Sequence, residues 1–130
     1  MPADLNRASL GQIAIVVQDL PRATAFYRDT LGLPFLFEFP GLSFFQCGEV
    51  RLMLSRAEKA EFDHPGSLLY YKVPDAEVAC RTLEDRGVRF VEAPHVVHRT
   101  ETSELWIGTF LDSEGNHAAV MAEKSVSATR

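Results

Sequence analysis

Cysteine is scarce in this sequence, and the two present, Cys47 and Cys80, stand far apart with no CxxC or zinc-type spacing. A disulfide framework and a thiolate metal site are therefore not indicated. Both read as small apolar side chains, with Cys47, beside Gly48 at a strand end, the more reactive of the pair. No apolar run approaches the ~20 residues of a membrane span. The start, MPADLNRASL, lacks the charged-then-apolar pattern of a signal peptide. The expectation is a soluble cytoplasmic protein with no membrane partner. Clusters of lysine or arginine are missing too, and a net charge of −5 argues against a nucleic-acid partner, which calls for a basic face. Also absent are a nucleophile elbow, a phosphate loop and a dinucleotide glycine pattern, which removes support for serine hydrolysis and nucleotide chemistry.

What is present is ordinary globular material: 130 residues, 46% hydrophobic and 24% charged, enough for a single domain spanning 1–130. Its organising feature is a repeated plan. In Gln12 to Leu33 a β-branched run, Gln12 to Val17, is followed by Asp19 as a helix cap and Pro21 near the first turn. Ala23, Phe26, Tyr27 and Leu31 then share a helical stripe, and Gly32 stands where a left-handed cap is expected. The spacing predicts a helix from about Leu20 to Leu31. Leu68 to Val88 repeats this: Leu69, Tyr71 and Val73 on a strand, Asp75 as cap, Ala76, Ala79, Cys80 and Leu83 on the stripe, and Gly87 as terminator. Asp19 and Asp75 are 56 positions apart but Gly32 and Gly87 only 55. One residue is lost within the second helix.

Between and beyond these units, punctuation by Pro40-Gly41 and Gly48-Glu49 marks strands at Phe35 to Phe39, Leu42 to Cys47 and Val50 to Leu54. Arg56 to Gly66, charged and containing His64, reads as a solvated connector between module one, about 10–56, and module two, about 66–123. In the second module, strands are expected at Val88 to Val91, Glu104 to Leu111 and Asn116 to Met121, with a tight turn at Asp112 to Gly115. His95 to Glu104 is polar, expected to be irregular or extended, and mobile at its centre. Lys124 to Arg130 has the composition of a frayed end.

The Asp19-Leu20 entry, Phe26-Tyr27-Arg28 with Leu31-Gly32-Leu33, the Val50 to Leu54 strand, and Phe110 to Asn116 before the last strand stand in a recognisable order. Together they resemble the vicinal oxygen chelate superfamily, the glyoxalase, bleomycin-resistance and extradiol-dioxygenase group. The resemblance covers nearly the whole chain. It implies an α+β fold in which two βαβββ modules form curved sheets around a cleft, and a homodimer. It does not fix an activity, because this scaffold carries isomerases, lyases, oxygenases, thiol transferases and drug-sequestering proteins.

Strand side chains alternate faces, so each strand divides into a helix-packed row and a cleft row. The apolar rows Ile13, Ile15, Val17; Val50, Leu52, Leu54; Leu69, Tyr71, Val73; and Ala118, Val120 are assigned to the helices. The cleft rows are then Gln12, Ala14, Val16; Arg51, Met53, Ser55; Leu68, Tyr70, Lys72; and His117, Ala119, Met121. Metal-using members of the superfamily place His, Gln or Glu at one cleft position per strand. Those positions here are Gln12, Met53, Leu68 and Ala119, and three of the four offer no suitable donor to a divalent first-row metal. The expectation is no metal cofactor. A one-residue slip in register would bring Glu49 or His117 nearer the metal position without completing a set.

His95, His98 and His117 are the candidate acid or base groups, since an imidazole titrating near ~6.5 suits proton transfer. His95 and His98, with Glu104 later, could also form a relocated metal site if their segment curled; in a polar loop such histidines are ordinarily solvated. Ligand-binding candidates are Gln12, Arg51, Met53, Leu68, Tyr70, Lys72, Trp106 and Ala119. Arg51 with Lys72 could hold a carboxylate. For Tyr70 and Trp106 the competing expectation is core or dimer packing. Phe35, Phe37, Phe39, Phe44 and Phe45 form an aromatic wall, either core or a flat surface for a planar ligand. The leading reading is a metal-free protein that takes a small, partly apolar organic ligand in its cleft. Its alternatives are a metal-dependent lyase, isomerase or dioxygenase with relocated ligands, a metal-free acid/base enzyme, and a structural homodimer whose cleft is self-filled.

Overall fold

The computed structural model describes residue 6, residues 9–56 and residues 68–126. Eight strands form two sheets of the same design. The first holds β1 (Gln12–Val17), β4 (Val50–Arg56), β3 (Leu42–Cys47) and β2 (Phe35–Phe39) in that spatial order. The second holds β5 (Leu69–Lys72), β8 (His117–Ser125), β7 (Ser103–Leu111) and β6 (Phe90–Arg99). In each, the first strand pairs parallel to the last and the remaining pairs are antiparallel. A helix makes each parallel crossover, α1 (Leu20–Ala25) in the first module and α2 (Ala76–Asp85) in the second. The connector, apart from Arg56, and His64 within it lie outside the described residues.

Both helices start where the sequence placed their caps. The Asp19 carboxylate accepts from the Arg22 amide at 3.0 Å, and that of Asp75 from the amides of Glu77 and Val78 at 3.0 and 3.1 Å. Both end at glycines with left-handed backbone, Gly32 at φ 78° and Gly87 at φ 91°. The first helix, however, is not α-helical throughout. From Phe26 to Thr30 it widens into a π-helix, in which the Leu31 amide reaches back five residues to the Phe26 carbonyl at 2.9 Å. The extra residue between Asp19 and Gly32 is absorbed in this wider turn, so caps and terminators of the two modules still correspond.

The assigned rows pack as alternation predicts. Ile15, Val17, Leu52, Leu54 and Phe45 meet Ala23 and Tyr27 of the first helical segment. Phe110, Ala118, Val120 and Ala122 meet Ala76 and Leu83 of α2. Phe26 and Leu31 contact the second core and Leu69 the first, so the π-turn is an intermodular surface. One polar pair sits inside the first core without cost in lost hydrogen bonds: Thr24 Oγ1 donates to the Leu20 carbonyl and lies 2.7 Å from Ser43 Oγ, tying helix to β3.

The second module departs from expectation after Val91. Of the two states expected for His95 to Glu104, irregular or extended, the structure has the extended one: β6 continues to Arg99, turns at Thr100, and β7 begins at Ser103. Valines at 91, 96 and 97 and antiparallel pairing with β7 from Phe90 to Arg99, interrupted by bulges, outweigh the polar composition. Likewise β8 runs to Ser125, and the Val126 amide donates to the Thr102 carbonyl at 2.7 Å. Lys124 and Ser125, expected at a frayed end, are thus strand residues, and residues 127–130 lie outside those described. No helix among the described residues is long and apolar enough to cross a membrane.

Candidate functional site

The site is built on the sheet faces turned away from the helices. In the first sheet, β4 brings Arg51 and Met53 to this face beside Gln12 of β1, and the Gln12 amide donates weakly to Met53 Sδ at 3.8 Å. Met53 opposes Phe44 of β3, which in turn opposes Phe37 of β2. The Phe37 and Phe44 rings stack with centroids 4.7 Å apart, Phe39 closes on both edge-on at 5.4 and 6.1 Å, and the Arg51 guanidinium lies 5.8 Å from the Phe37 and Phe44 centroids. A cation is thus held over an aromatic surface. Phe37 and Phe39 remain 38% and 58% exposed, so the surface is open to a ligand.

The aromatic wall therefore divides. An irregularity between Phe35 and Phe37 turns Phe35 to the other face, where it packs edge-on to buried Phe45 while staying 36% exposed. Only Phe37, Phe39 and Phe44 belong to the open face, with Phe44 itself buried against the other two.

In the second sheet, Leu68, Tyr70 and Lys72 are exposed along β5, which forms the sheet edge. His117 is exposed at the start of β8, in line with Leu68 because Leu69 opposes Ala118. Two expected ligand contacts are corrected. Ala119 does face away from the helix, but it is fully buried between its strand neighbours Tyr70 and Thr109, whose larger side chains close over a methyl group. Trp106 sits on the opposite face. It opposes Ala122, packs with the α2 core, donates to Glu104 Oε1 at 3.2 Å and carries the Lys124 ammonium 4.3 Å above its ring.

His95 and His98 are strand residues, opposite Ile107 and Leu105. Irregularities in β6 before His95 and between Val96 and His98 place both on the face of Ile107 and Leu105, where plain alternation would separate residues three apart. His95 Nδ1 lies 2.8 Å from the Ala93 carbonyl oxygen. His117 is far from both: it opposes Leu111, four residues from Ile107 along β7 and so ~13 Å away at ~3.4 Å per residue. The three histidines do not converge.

The four positions at which the resemblance implies metal ligands, Gln12, Met53, Leu68 and Ala119, carry an amide, a thioether, an isobutyl group and a buried methyl group. The registers are those read from the sequence, Glu49 stays in the exposed β3–β4 turn, and His117 remains next to Leu68 without a second donor. Among the described residues no group of three or more His, Cys, Asp or Glu is placed to hold a metal ion. The donor set does not fit a first-row divalent metal.

The modules are held together by a polar cluster in the β7–β8 turn. Asp112, buried, accepts from the Tyr27 hydroxyl at 2.7 Å, the Glu114 and Asn116 amides at 2.8 Å each and the Asn116 side chain at 3.0 Å. Glu114, its side chain 2% exposed, accepts from the Gln18 and Asp19 amides and from Arg22 Nε at 2.8 Å. Burial alone would raise the Glu114 pKa; the hydrogen bonds from Arg22, Asp19 and Ser113 and the charge of Arg22 outweigh it and hold it at about 2. On the helix side, burial pushes the Tyr71 and Cys47 groups up. The Tyr71 hydroxyl is buried with no hydrogen-bond partner among the described residues.

The motif order, the paired four-stranded sheets and the sequence match agree. Residues 9–120 match the superfamily described as Glyoxalase/Bleomycin resistance protein/Dioxygenase. The chain belongs to the glyoxalase/bleomycin resistance protein/dioxygenase superfamily. It is 31% identical over 98 residues to the uncharacterized protein YraH of Bacillus subtilis (strain 168), covering 65% of this chain and 77% of that one. Among solved structures it resembles lactoylglutathione lyase from Agrobacterium tumefaciens, with a TM-score of 0.70 and 23% identity over 90% of this chain and 95% of the other. It also resembles a superfamily member from Alicyclobacillus acidocaldarius, with a TM-score of 0.69 and 16% identity over 90% and 92% of the two chains. At these identities the solved structures establish the glyoxalase-type fold, and the activity has to be argued from the site.

Proposed function

We propose that this superfamily member captures a small, partly apolar organic ligand on the open sheet faces, without the metal that other members hold. One observation carries the reading: the Arg51 guanidinium poised over the stacked Phe37 and Phe44 rings. An exposed aromatic surface with a fixed cation at its edge suits a planar ligand bearing an acceptor or anionic group. Tyr70 and Leu68, 50% and 39% exposed, supply further apolar contact from the second sheet. We further propose a homodimer in which a second copy covers part of the exposed apolar surface at Leu36, Val91 and Val97. The protein would act in the cytoplasm, where free Cys47 and Cys80 stay reduced.

The test is calorimetric titration with 1-naphthoate and 1-naphthylmethylamine, together with metal analysis of protein purified without a metal-affinity column. Saturable binding of a naphthyl probe, weakened about tenfold by Phe37→Ala or Arg51→Ala, supports capture. Binding unchanged in both variants sinks it. Near-stoichiometric metal would overturn the metal-free part and favour an enzyme, with Gln12, His95 and His98 the first residues to substitute. Light scattering reads the dimer directly: a monomer at micromolar concentration contradicts it.

A further inference from the structure

A cavity of about 340 Å³ lies on the helix side, between the modules and opposite to the ligand face proposed above. α2 roofs it with Ala79, Thr82 and Leu83; Leu31 and Leu33 after the π-turn form one wall; β5, Phe110 and Val120 form the floor. This volume is within the usual range for small-molecule sites. At ~30 Å³ per water-sized group it takes about eleven heavy atoms.

Its chemistry is one-sided. The walls are hydrocarbon and aromatic, none of the residues lining it is acidic, and Arg86 is basic. Arg86 caps α2 and reaches across the mouth to donate from Nη1 to the Thr30 carbonyl at 3.0 Å. That bond uses one of five guanidinium N–H groups, fixes the plane, and leaves a fork of donors for a carboxylate.

We infer that this intermodular cavity is a second binding site, taking a small monocarboxylate with an apolar body of about seven to nine carbons, its chain under α2 and its carboxylate on Arg86. Because α2 and the π-turn belong to different modules, an occupant would also join them. The inference is independent of the ligand face on the first sheet.

Cys47 lines the same cavity and is half-buried, so it reports occupancy. Native protein would be treated with iodoacetamide across an octanoate titration, with modification at Cys47 read by peptide mass mapping. Octanoate is expected to slow Cys47 modification saturably, and octylamine, of equal length and opposite charge, is not. Arg86→Ala should weaken octanoate protection about tenfold. Thr82→Phe, which fills the cavity from an exposed helix position, should abolish it. Arg51→Ala should leave it unchanged. Circular dichroism of each variant verifies folding. No protection by octanoate, equal protection by octylamine, or protection that survives Arg86→Ala but falls with Arg51→Ala overturns the inference.

Discussion

The Tyr27 hydroxyl, from the helix of the first module, donates to Asp112 Oδ2 in the last turn of the second at 2.7 Å, both residues being buried. Eighty-five residues separate the partners. The bond makes the two halves one cooperative unit, and removing either partner has unequal consequences. Tyr27→Phe loses one hydrogen bond to a charged acceptor, an expected ~1.5–3 kcal/mol. Asp112→Ala strands four donors at once and should cost more, ~3 kcal/mol or above. Urea unfolding measures both. Equal effects would contradict the role of Asp112 as the hub.

Acid should loosen the same junction. The Glu114 carboxyl, at about 2 in the folded chain, lies near ~4.3 when unfolded. Its folded value is depressed, so its contribution is fully present above the unfolded pKa and fades as pH falls from ~5 toward ~2. The size is on the order of 3 kcal/mol. Glu114→Gln should be less stable at neutral pH and show a flatter stability profile across that window. A variant as acid-sensitive as the parent would refute this.

Tyr71 offers a substitution in the opposite direction. Its enclosed hydroxyl has no hydrogen-bond partner among the described residues, while its ring packs with the second core. Tyr71→Phe keeps the ring and removes the unmet polar group, so thermal unfolding should show stability unchanged or raised by about 1 kcal/mol. A clear loss would mean that the hydroxyl is paired in solution.

Gly108 is required by packing and not by its backbone angles. A Cβ there would meet the Pro94 ring at 2.8 Å and its backbone nitrogen at 2.9 Å, neither of which can swing aside. Gly108→Ala should push β6 off β7 at a cost of ~1–3 kcal/mol. The resonances of neighbouring His95 should move most in an NMR spectrum. Small shifts confined to residue 108 would count against this account.

The two modules were legible because each is delimited by a capping aspartate and a left-handed glycine, and because their rows alternate without exception through β1, β4, β5 and β8. The cleft set followed from the same alternation. His95 and His98 were harder: bulges in an edge strand change the facing of side chains, and their only trace in the sequence is Pro94 within an otherwise extended segment. Trp106 was misplaced because aromatic and small residues alternate on β7 with apolar ones on both faces, Leu105 and Ile107 on one, Trp106 and Phe110 on the other. Periodicity cannot choose a face when both are apolar. The helix-side cavity had no local signature, since residues from distant segments line it.

The π-turn at Phe26 to Thr30 makes this a protein with broken symmetry. Asp19 and Gly32 are 13 positions apart where Asp75 and Gly87 are 12, so two halves with one blueprint cannot exchange places. A chimera of two second modules would keep both sheets and lose Phe26, Tyr27 and Leu31, the residues through which one half recognises the other. The inserted residue gives the chain an inside order, with one module as donor and the other as receiver of the joint.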